Sequence, residues 1–284
     1  MLQASDVVFG YRAAPVLRGV SLEVPADGFV GILGPNGSGK TTLLRILAGT
    51  LAPTSGRVSL DGVELGRIGR ADLARRMGVV PQETRLAFDF TVLEVVLMGR
   101  YPHLGTFEIE GPRDIAIAED ALAATGTREL EHRAFTTLSG GEKQRVIIAA
   151  ALAQIASAGD RAAILLLDEP TAALDLAYQL EIATLLRDLQ KRVRIAIVVS
   201  THDLNFAAGL CRSLVLLKQG TVLASGPTTD VLTADRIRTL YGVDAEIRHH
   251  DAAGHLVVVP LRRSRHSSEL PAEPNATSSP SRHS

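Results

Sequence analysis

The sequence is poor in cysteine and in aromatic residues. Its 284 residues include one cysteine and no tryptophan, and the aromatic residues together make up 4%. The lone Cys211 excludes an internal disulfide, and it excludes a zinc site built from pairs of cysteines. This cysteine usage is typical of a protein of the cytosol.

The sequence also lacks an excess of either charge and lacks a long apolar run. The 30 Lys and Arg residues nearly balance the 31 Asp and Glu residues, for a net charge of -1. Because a basic excess usually drives nucleic-acid binding, we expect no nucleic-acid partner. The longest apolar runs, such as Val146–Ala153, are far shorter than the about 20 residues that a membrane span needs. We therefore expect a chain that does not cross a bilayer by itself.

What the sequence does contain is an alternation of apolar runs with helical patterns. The runs Phe29–Leu33, Ala162–Leu167 and Ile195–Ser200 are typical of strands that are buried on both faces. Helical spacing of apolar residues lies between these runs. Strands that alternate with helices predict an α/β fold with a mainly parallel sheet.

Three further stretches differ from this pattern. Val7–Phe9 and Val20–Val24 predict short strands on either side of a turn at Arg12–Pro15. Residues 83–137 carry helical spacing interrupted by proline and glycine, which predicts a small, mainly helical insert. From about Leu261 the chain is rich in Ser, Pro, Arg and His, and we expect this tail to be disordered.

A glycine-rich loop follows the first buried strand and precedes a helical pattern. It matches the G-x-x-x-x-G-K-[ST] motif and consists of Gly34, Pro35, Asn36, Gly37, Ser38, Gly39, Lys40 and Thr41, with Thr42 directly after it. Glycines let the backbone curl so that several N–H groups point at one phosphate, and the following helix adds its positive end. Lys40 supplies a full charge at the outer phosphates, and the Thr41 hydroxyl can reach a magnesium ion. The loop therefore predicts a nucleotide-phosphate site.

Two neighbouring acids follow the second buried strand. Asp168 and Glu169 come at its carboxyl end, and parallel sheets bind their ligands at that edge. Asp168 can hold magnesium, and Glu169 is placed to polarise a water molecule aimed at the γ-phosphate. These two positions predict hydrolysis at the γ-phosphate of a bound nucleotide.

A third motif is absent from most proteins that have such a phosphate loop. Ser139, Gly140 and Gly141 directly precede a helical pattern. This arrangement predicts a second anion site, because it offers backbone N–H groups, no side-chain bulk and a helix N-terminus. The chain thus has two phosphate-binding loops but only one with a lysine. We expect the second loop to serve a nucleotide held by another copy, in a two-fold dimer with ATP at its interface.

In combination these motifs resemble the ATP-binding subunit of an ABC transporter. The resemblance covers about residues 5–260. It implies an α/β phosphate-loop NTPase core with a mainly parallel sheet, an N-terminal antiparallel β part and a helical subdomain insert at about residues 89–136. The implied ATP-binding domain is residues 1–260, followed by the tail at residues 261–284.

The resemblance also implies roles for four further residues. Tyr11 matches the aromatic residue that stacks on adenine, and Gln82 matches the glutamine that contacts magnesium and links the site to the insert. Asp175 matches the loop that crosses the dimer interface. His202 matches the switch histidine on the γ-phosphate. The implied catalytic residues are then Glu169, His202 and Gln82.

The resemblance further implies cofactors, partners and a location. We expect ATP and magnesium, a second copy of the chain, and a separate transmembrane permease dimer that docks on the helical subdomain. A substrate-binding protein acts indirectly through the permease. The chain then lies at the cytoplasmic face of the cell membrane as a peripheral subunit.

Three segments are similar to a narrower group of importer subunits. These are Val96–Gly105, Leu176–Glu181 and Tyr241–Ile247, which resemble the subunits that import cobalamin, haem and ferric siderophores. We place ferric siderophore and haem level as cargo, ahead of cobalamin. The alternatives are an ABC exporter subunit and a soluble, non-transport ABC ATPase. A phosphate-loop kinase would have no use for Ser139–Gly141.

Overall fold

The computed structural model describes residues 1–11, 14–84, 86, 88–156, 163–172 and 174–264. Its strands are β1 (Leu2–Tyr11), β2 (Ala14–Val24), β3 (Phe29–Leu33), β4 (Ser55–Leu60), β5 (Val63–Glu64), β6 (Met77–Val80), β7 (Ala163–Asp168), β8 (Ile195–Thr201), β9 (Ser213–Lys218), β10 (Thr221–Pro227), β11 (Val243–His250) and β12 (His255–Arg263). Its helices are α1 (Lys40–Leu47), α2 (Arg70–Ala74), α3 (Val92–Leu97), α4 (Pro112–Ala124), α5 (Gly140–Ile155), α6 (Leu176–Arg192), α7 (Leu204–Leu210), α8 (Thr228–Val231) and α9 (Ala234–Tyr241). Short 3-10 turns lie at Leu65–Arg67, Met98–His103, Arg128–Leu130 and Phe135–Thr137. In these ranges, no helix is both long enough and apolar enough to span a membrane.

The central sheet has six strands in the order β10-β9-β3-β8-β7-β6. All neighbouring pairs are parallel except β9 with β10, which form an antiparallel hairpin at one edge. Every residue of β3, β7 and β8 is buried, because other elements pack on both faces of the sheet and the strands are continuously apolar. The predicted α/β fold with a mainly parallel sheet is confirmed.

A second, antiparallel sheet has the order β2-β1-β4-β5 and covers one side of this core. It confirms the N-terminal antiparallel β part, but the two N-terminal strands are longer than predicted. The predicted turn at Arg12–Pro15 is wrong for Ala14 and Pro15, which pair with Tyr11 and Gly10; residues 12 and 13 lie outside the described residues. The strands were underestimated because only alternate residues face the core, and polar side chains occupy the other face.

The insert between β6 and α5 is mainly helical, as predicted. Its helices α3 and α4 build a small apolar core of their own against one face of α5. Val92, Val96 and Leu122 are fully buried there. A Thr91–Glu94 capping box fixes the start of α3, and Pro112 stands in the first turn of α4, where its missing N–H costs nothing.

Arg100 forms a buried ion pair within this insert and also links the insert to α5. The Arg100 side chain is 3% exposed; its Nε lies 3.0 Å from Asp114 Oδ1, and its Nη1 donates to the Ala153 carbonyl at 2.6 Å. The His103 ring nitrogen Nε2 lies 2.7 Å from the Gln154 carbonyl oxygen. The insert is thereby attached to the C-terminal half of α5.

Replacing Arg100 by Ala is expected to lower the free energy of unfolding by about 3–5 kcal/mol, because it leaves Asp114 as an uncompensated, largely buried charge. Urea unfolding followed by circular dichroism measures this loss. The control is Arg67→Ala, whose side chain is 80% exposed and contacts Glu64 within one turn, and which should cost at most about 0.5 kcal/mol. Equal effects of the two substitutions would contradict the structural role of Arg100.

The last strand of the structure extends past the predicted domain boundary at residue 260. Strand β12 continues through Leu261–Arg263, and Arg262 reaches Asp244 at 3.0 Å. Pairing with β11 keeps these residues in the fold although they contribute few buried apolar side chains. The remainder of the predicted disordered tail, residues 265–284, lies outside the described residues.

Candidate active site

The glycine-rich loop lies at the carboxyl end of β3, and α1 begins directly at Lys40. Gly37 and Gly39 have φ values of 77° and 105°, in the left-handed region that favours glycine. A Cβ on Gly34 would lie 2.3 Å from the Leu217 carbonyl oxygen, so that position has no room for a side chain. The loop is therefore a tight backbone curl in front of a helix N-terminus, as its motif predicted.

Lys40, Glu169 and His202 form a connected set of charged and polar groups. Lys40 Nζ donates to the Gly34 carbonyl at 2.9 Å and lies 3.1 Å from Glu169 Oε1. The second carboxylate oxygen, Glu169 Oε2, lies 3.1 Å from His202 Nδ1. Lys40 and Glu169 are 4% and 11% exposed, whereas His202 is 53% exposed and opens to solvent. The carboxylate thus stands between a buried cation and an accessible imidazole.

The backbone at Glu169 is strained. Its φ is 45°, which a non-glycine residue adopts only when its surroundings enforce it. The Glu169 N–H donates to the Ser200 carbonyl at 3.1 Å and to the Ser200 hydroxyl at the same distance. These bonds hold the carboxylate at the end of β7, facing the glycine-rich loop.

Ser200 also positions the first acid of the pair. Its hydroxyl donates to Asp168 Oδ1 at 2.6 Å, and both residues are buried. We did not predict a role for Ser200 from the sequence. Its only signal there is a hydroxyl at the end of an apolar strand, two residues before His202.

Two adjoining clefts bring most of the expected residues together. One cleft, of about 520 Å³, is lined by Tyr11, Val16, Asn36, Gly37, Gly39, Lys40, Thr41, Thr42, Gln82 and Glu169. The next cleft contains Thr41, Gln82 and Asp168 in its lining. Tyr11 is 49% exposed, and its ring packs in a T-shaped arrangement with Phe9, with ring centroids 4.9 Å apart.

The residues of these clefts fit a nucleotide with its metal ion. The Ser38 hydroxyl is buried and has no hydrogen-bond partner among the described residues, which is unusual for a polar atom and fits a ligand with acceptor oxygens. A Cβ on Gly37 would meet no atom within 4 Å, so the loop backbone faces open space. Thr41, Gln82 and Asp168 offer the oxygen donors that magnesium prefers.

Ser139–Gly141 line neither of these clefts. Ser139 caps α5: its hydroxyl accepts from the Glu142 N–H at 3.3 Å, and the Glu142 carboxylate accepts from the Ser139 N–H at 2.7 Å. Of the three residues predicted to offer N–H groups to an anion, Ser139 therefore has its N–H engaged by the capping box. Gly140 and Gly141 are the first residues of α5. The backbone N–H groups in the first turn of a helix have no acceptor within that helix, so those of Gly140 and Gly141 are the ones that suit an anion.

Gly141 lies directly against Tyr178 of α6. A Cβ on Gly141 would stand 2.2 Å from Tyr178 Cδ1, so the ring fills the space of a side chain. Asp175 caps the N-terminus of α6, and its carboxylate accepts from the Tyr178 N–H at 3.1 Å. The expected interface residue Asp175 is thus joined to Ser139–Gly141 through Tyr178, a contact with no sequence signal.

The amino-acid sequence is similar to a known family and to several characterised proteins. A family model described as ABC transporter matches residues 17–172. The hemin import ATP-binding protein HmuV of Bordetella pertussis is 41% identical over 91% of this chain and 98% of its own length. The ferric enterobactin transport ATP-binding protein FepC of Escherichia coli is 37% identical over 92% of this chain and 94% of its own length. The cobalamin import ATP-binding protein BtuD of Halobacterium salinarum is 40% identical over 87% of this chain and 60% of its own length.

Solved structures share the fold over most of the chain. A transporter described as of metal-chelate type, in an inward-facing conformation, matches 92% of this chain and 96% of its own with a TM-score of 0.79 and 30% identity. The dimeric, post-hydrolysis state of the ATP-binding cassette MJ0796 with ADP and Pi matches 80% of this chain and 99% of its own length, with a TM-score of 0.68 and 30% identity. The predicted family, drawn from the motifs alone, is confirmed.

Proposed function

The chain belongs to the ABC transporter family, and on that premise we propose that it is the ATP-hydrolysing subunit that powers a membrane importer. The observation that carries the hydrolytic part is Glu169, held 3.1 Å from both Lys40 and His202 at the edge of the sheet. This carboxylate is the only acidic residue that lines the cleft of the glycine-rich loop within the described residues.

Each residue around ATP has a distinct role in this proposal. Backbone N–H groups of residues 36–41 bind the phosphates, and Lys40 neutralises their outer charge. Glu169 accepts a proton from the attacking water, while His202 contacts the γ-phosphate and orients that water. Tyr11 stacks on the adenine ring.

A magnesium ion would be held by Thr41, Gln82 and Asp168, and it would neutralise charge on the phosphate oxygens. Asp168 suits this role because Ser200 already binds one of its carboxylate oxygens and so fixes its direction. Gln82 follows the edge strand β6 and leads into the helical insert. A change at the metal site can therefore reach the insert through Gln82.

The site is completed by a second copy of the chain. Support for this comes from the position of Ser139–Gly141, which line neither cleft of their own subunit. In a two-fold dimer they would close over the γ-phosphate bound to the partner, with Asp175 at the shared interface. Hydrolysis removes the phosphate that both subunits bind, and the dimer loses its central contact.

The motion must pass to a membrane protein. We propose a permease dimer that docks on the helical insert, at the cytoplasmic face of the membrane, with a substrate-binding protein acting through it. The names of the relatives support import of a metal chelate: hemin, cobalamin and ferric enterobactin. Haem, a ferric siderophore and cobalamin are therefore the proposed cargoes.

The test is ATPase activity of the chain in lipid, assembled with the permease pair that copurifies with it. Binding proteins loaded in turn with haem, a ferric siderophore or cobalamin are added. Stimulation by one of them, absent in the Lys40→Ala variant, is the expected result. Strong hydrolysis without a response to any loaded binding protein would contradict import and favour an exporter subunit or a soluble ATPase.

A further inference from the structure

The loop that carries His202 is short and fixed at both ends. Strand β8 ends at Thr201, whose hydroxyl accepts from the Asp203 N–H at 3.0 Å. Helix α7 begins directly after it, with the Asp203 carboxylate accepting from the Asn205 and Phe206 N–H groups at 2.9 and 3.0 Å. A displacement of α7 would therefore move the backbone of His202.

A side chain from the C-terminal part of the chain contacts this loop directly. The hydroxyl of Tyr241, the last residue of α9, donates to the His202 carbonyl at 3.4 Å. Burial, followed by the negative charges of Glu169 and Asp203, raises the pKa of the Tyr241 hydroxyl. The hydroxyl therefore keeps its proton and remains a donor to the loop.

Asn205, the second residue of α7, forms a second link. Its side-chain amide accepts from the Val258 N–H at 2.8 Å and donates to the Val258 carbonyl at 3.2 Å. The side-chain amide of Asn205 thus binds both backbone groups of Val258 in β12, as the backbone of a neighbouring strand would. Further along α7, the His255 ring lies against Gly209, where an added Cβ would be 3.1 Å from Nε2.

The C-terminal unit, defined here as residues 228–264, is itself tied together. Asp244 accepts from Arg238 at 2.7 Å, from Arg262 at 3.0 Å and from the Ser264 hydroxyl at 3.1 Å. Buried side chains of α9 and β12 share one apolar core with α7. The unit can therefore act as a rigid support.

We propose that the C-terminal unit positions His202 for ATP hydrolysis, with Tyr241 and Asn205 as the positioning residues. This inference rests on the function proposed above. Both residues lie beyond residues 17–172, the segment that matches the family model. No residue of the phosphate loop takes part in the contacts of Tyr241 and Asn205, so their loss should lower kcat and leave the KM for ATP unchanged.

The decisive variant is Tyr241→Phe, which removes one oxygen atom and keeps the ring. One lost hydrogen bond corresponds to about a five-fold lower kcat. We expect that loss at saturating ATP in the full-length chain, with the KM and the Tm unchanged. Asn205→Ala removes two hydrogen bonds and should lower kcat further. The control is Ser21→Ala, which also removes one hydroxyl: Ser21 is exposed on β2, donates to Asp6 at 3.2 Å and lines neither cleft.

A double variant separates positioning from a general structural role. In single-turnover hydrolysis, Tyr241→Phe should reduce the rate no further once His202 is replaced by Ala, because the group that it positions is gone. An unchanged kcat in Tyr241→Phe would overturn the inference, and so would the same five-fold loss in the His202→Ala background. Absence of hydrolysis by the unmodified chain would instead contradict the proposed function itself.

Discussion

Glu169→Gln is expected to reduce ATP hydrolysis by at least about 100-fold while ATP binding stays intact, so that the closed dimer accumulates. The substitution keeps the shape of the side chain and its contacts with Lys40 and His202. It removes the negative charge that accepts a proton from water. The phosphate loop, which provides the binding energy, is unchanged.

Steady-state hydrolysis and ATP-dependent dimer formation by size-exclusion chromatography measure the two effects. The matched control is Glu23→Gln, an exposed acid of β2 that bonds Gln3 at 2.8 Å and should hydrolyse ATP at the unmodified rate. Rapid hydrolysis by Glu169→Gln would remove the proposed catalytic role. Loss of ATP binding in this variant would show that the carboxylate organises the phosphate loop instead.

Gly141→Ala is expected to lower hydrolysis by about 10- to 100-fold, because a misplacement of about 1 Å at a catalytic site has effects of that size. The added Cβ would stand 2.2 Å from Tyr178 Cδ1, so either the ring or the start of α5 must move. The movement displaces the N–H groups that are proposed to close over the partner's γ-phosphate. ATP binding to the isolated subunit should remain normal.

The Tyr178→Ala substitution provides a test of this steric cause. It removes the ring that occupies the space, so the double variant Gly141→Ala/Tyr178→Ala should recover most of the activity lost in the single variant. The control is Gly66→Ala, where an added Cβ meets no atom within 4 Å. If the double variant is no more active than Gly141→Ala, the clash with Tyr178 is not the cause of the loss.

Sequence patterns located the elements that are continuously apolar or strongly periodic. Strand β3 was predicted with its observed bounds, Phe29–Leu33, because glycine stands on either side of a run buried at every position. The end of α1 was also predictable: Gly49 follows it with φ of 70°, a typical helix stop. Elements such as β4 (Ser55–Leu60) and α7 escaped prediction, since they are short and only some of their residues are buried.

By itself the sequence determined the local chemistry of this protein: a phosphate loop, two acids at a strand end, and a second glycine loop at a helix start. Such motifs depend on backbone conformation within a few neighbouring residues, and glycine, lysine and acid spacing specifies them. Only the tertiary structure decided which distant groups meet. The ion pair of Lys40 with Glu169, the ring of Tyr178 against Gly141, and the amide of Asn205 on β12 have no local signal. Their positions follow from strand order and core packing, to which many residues contribute a little each.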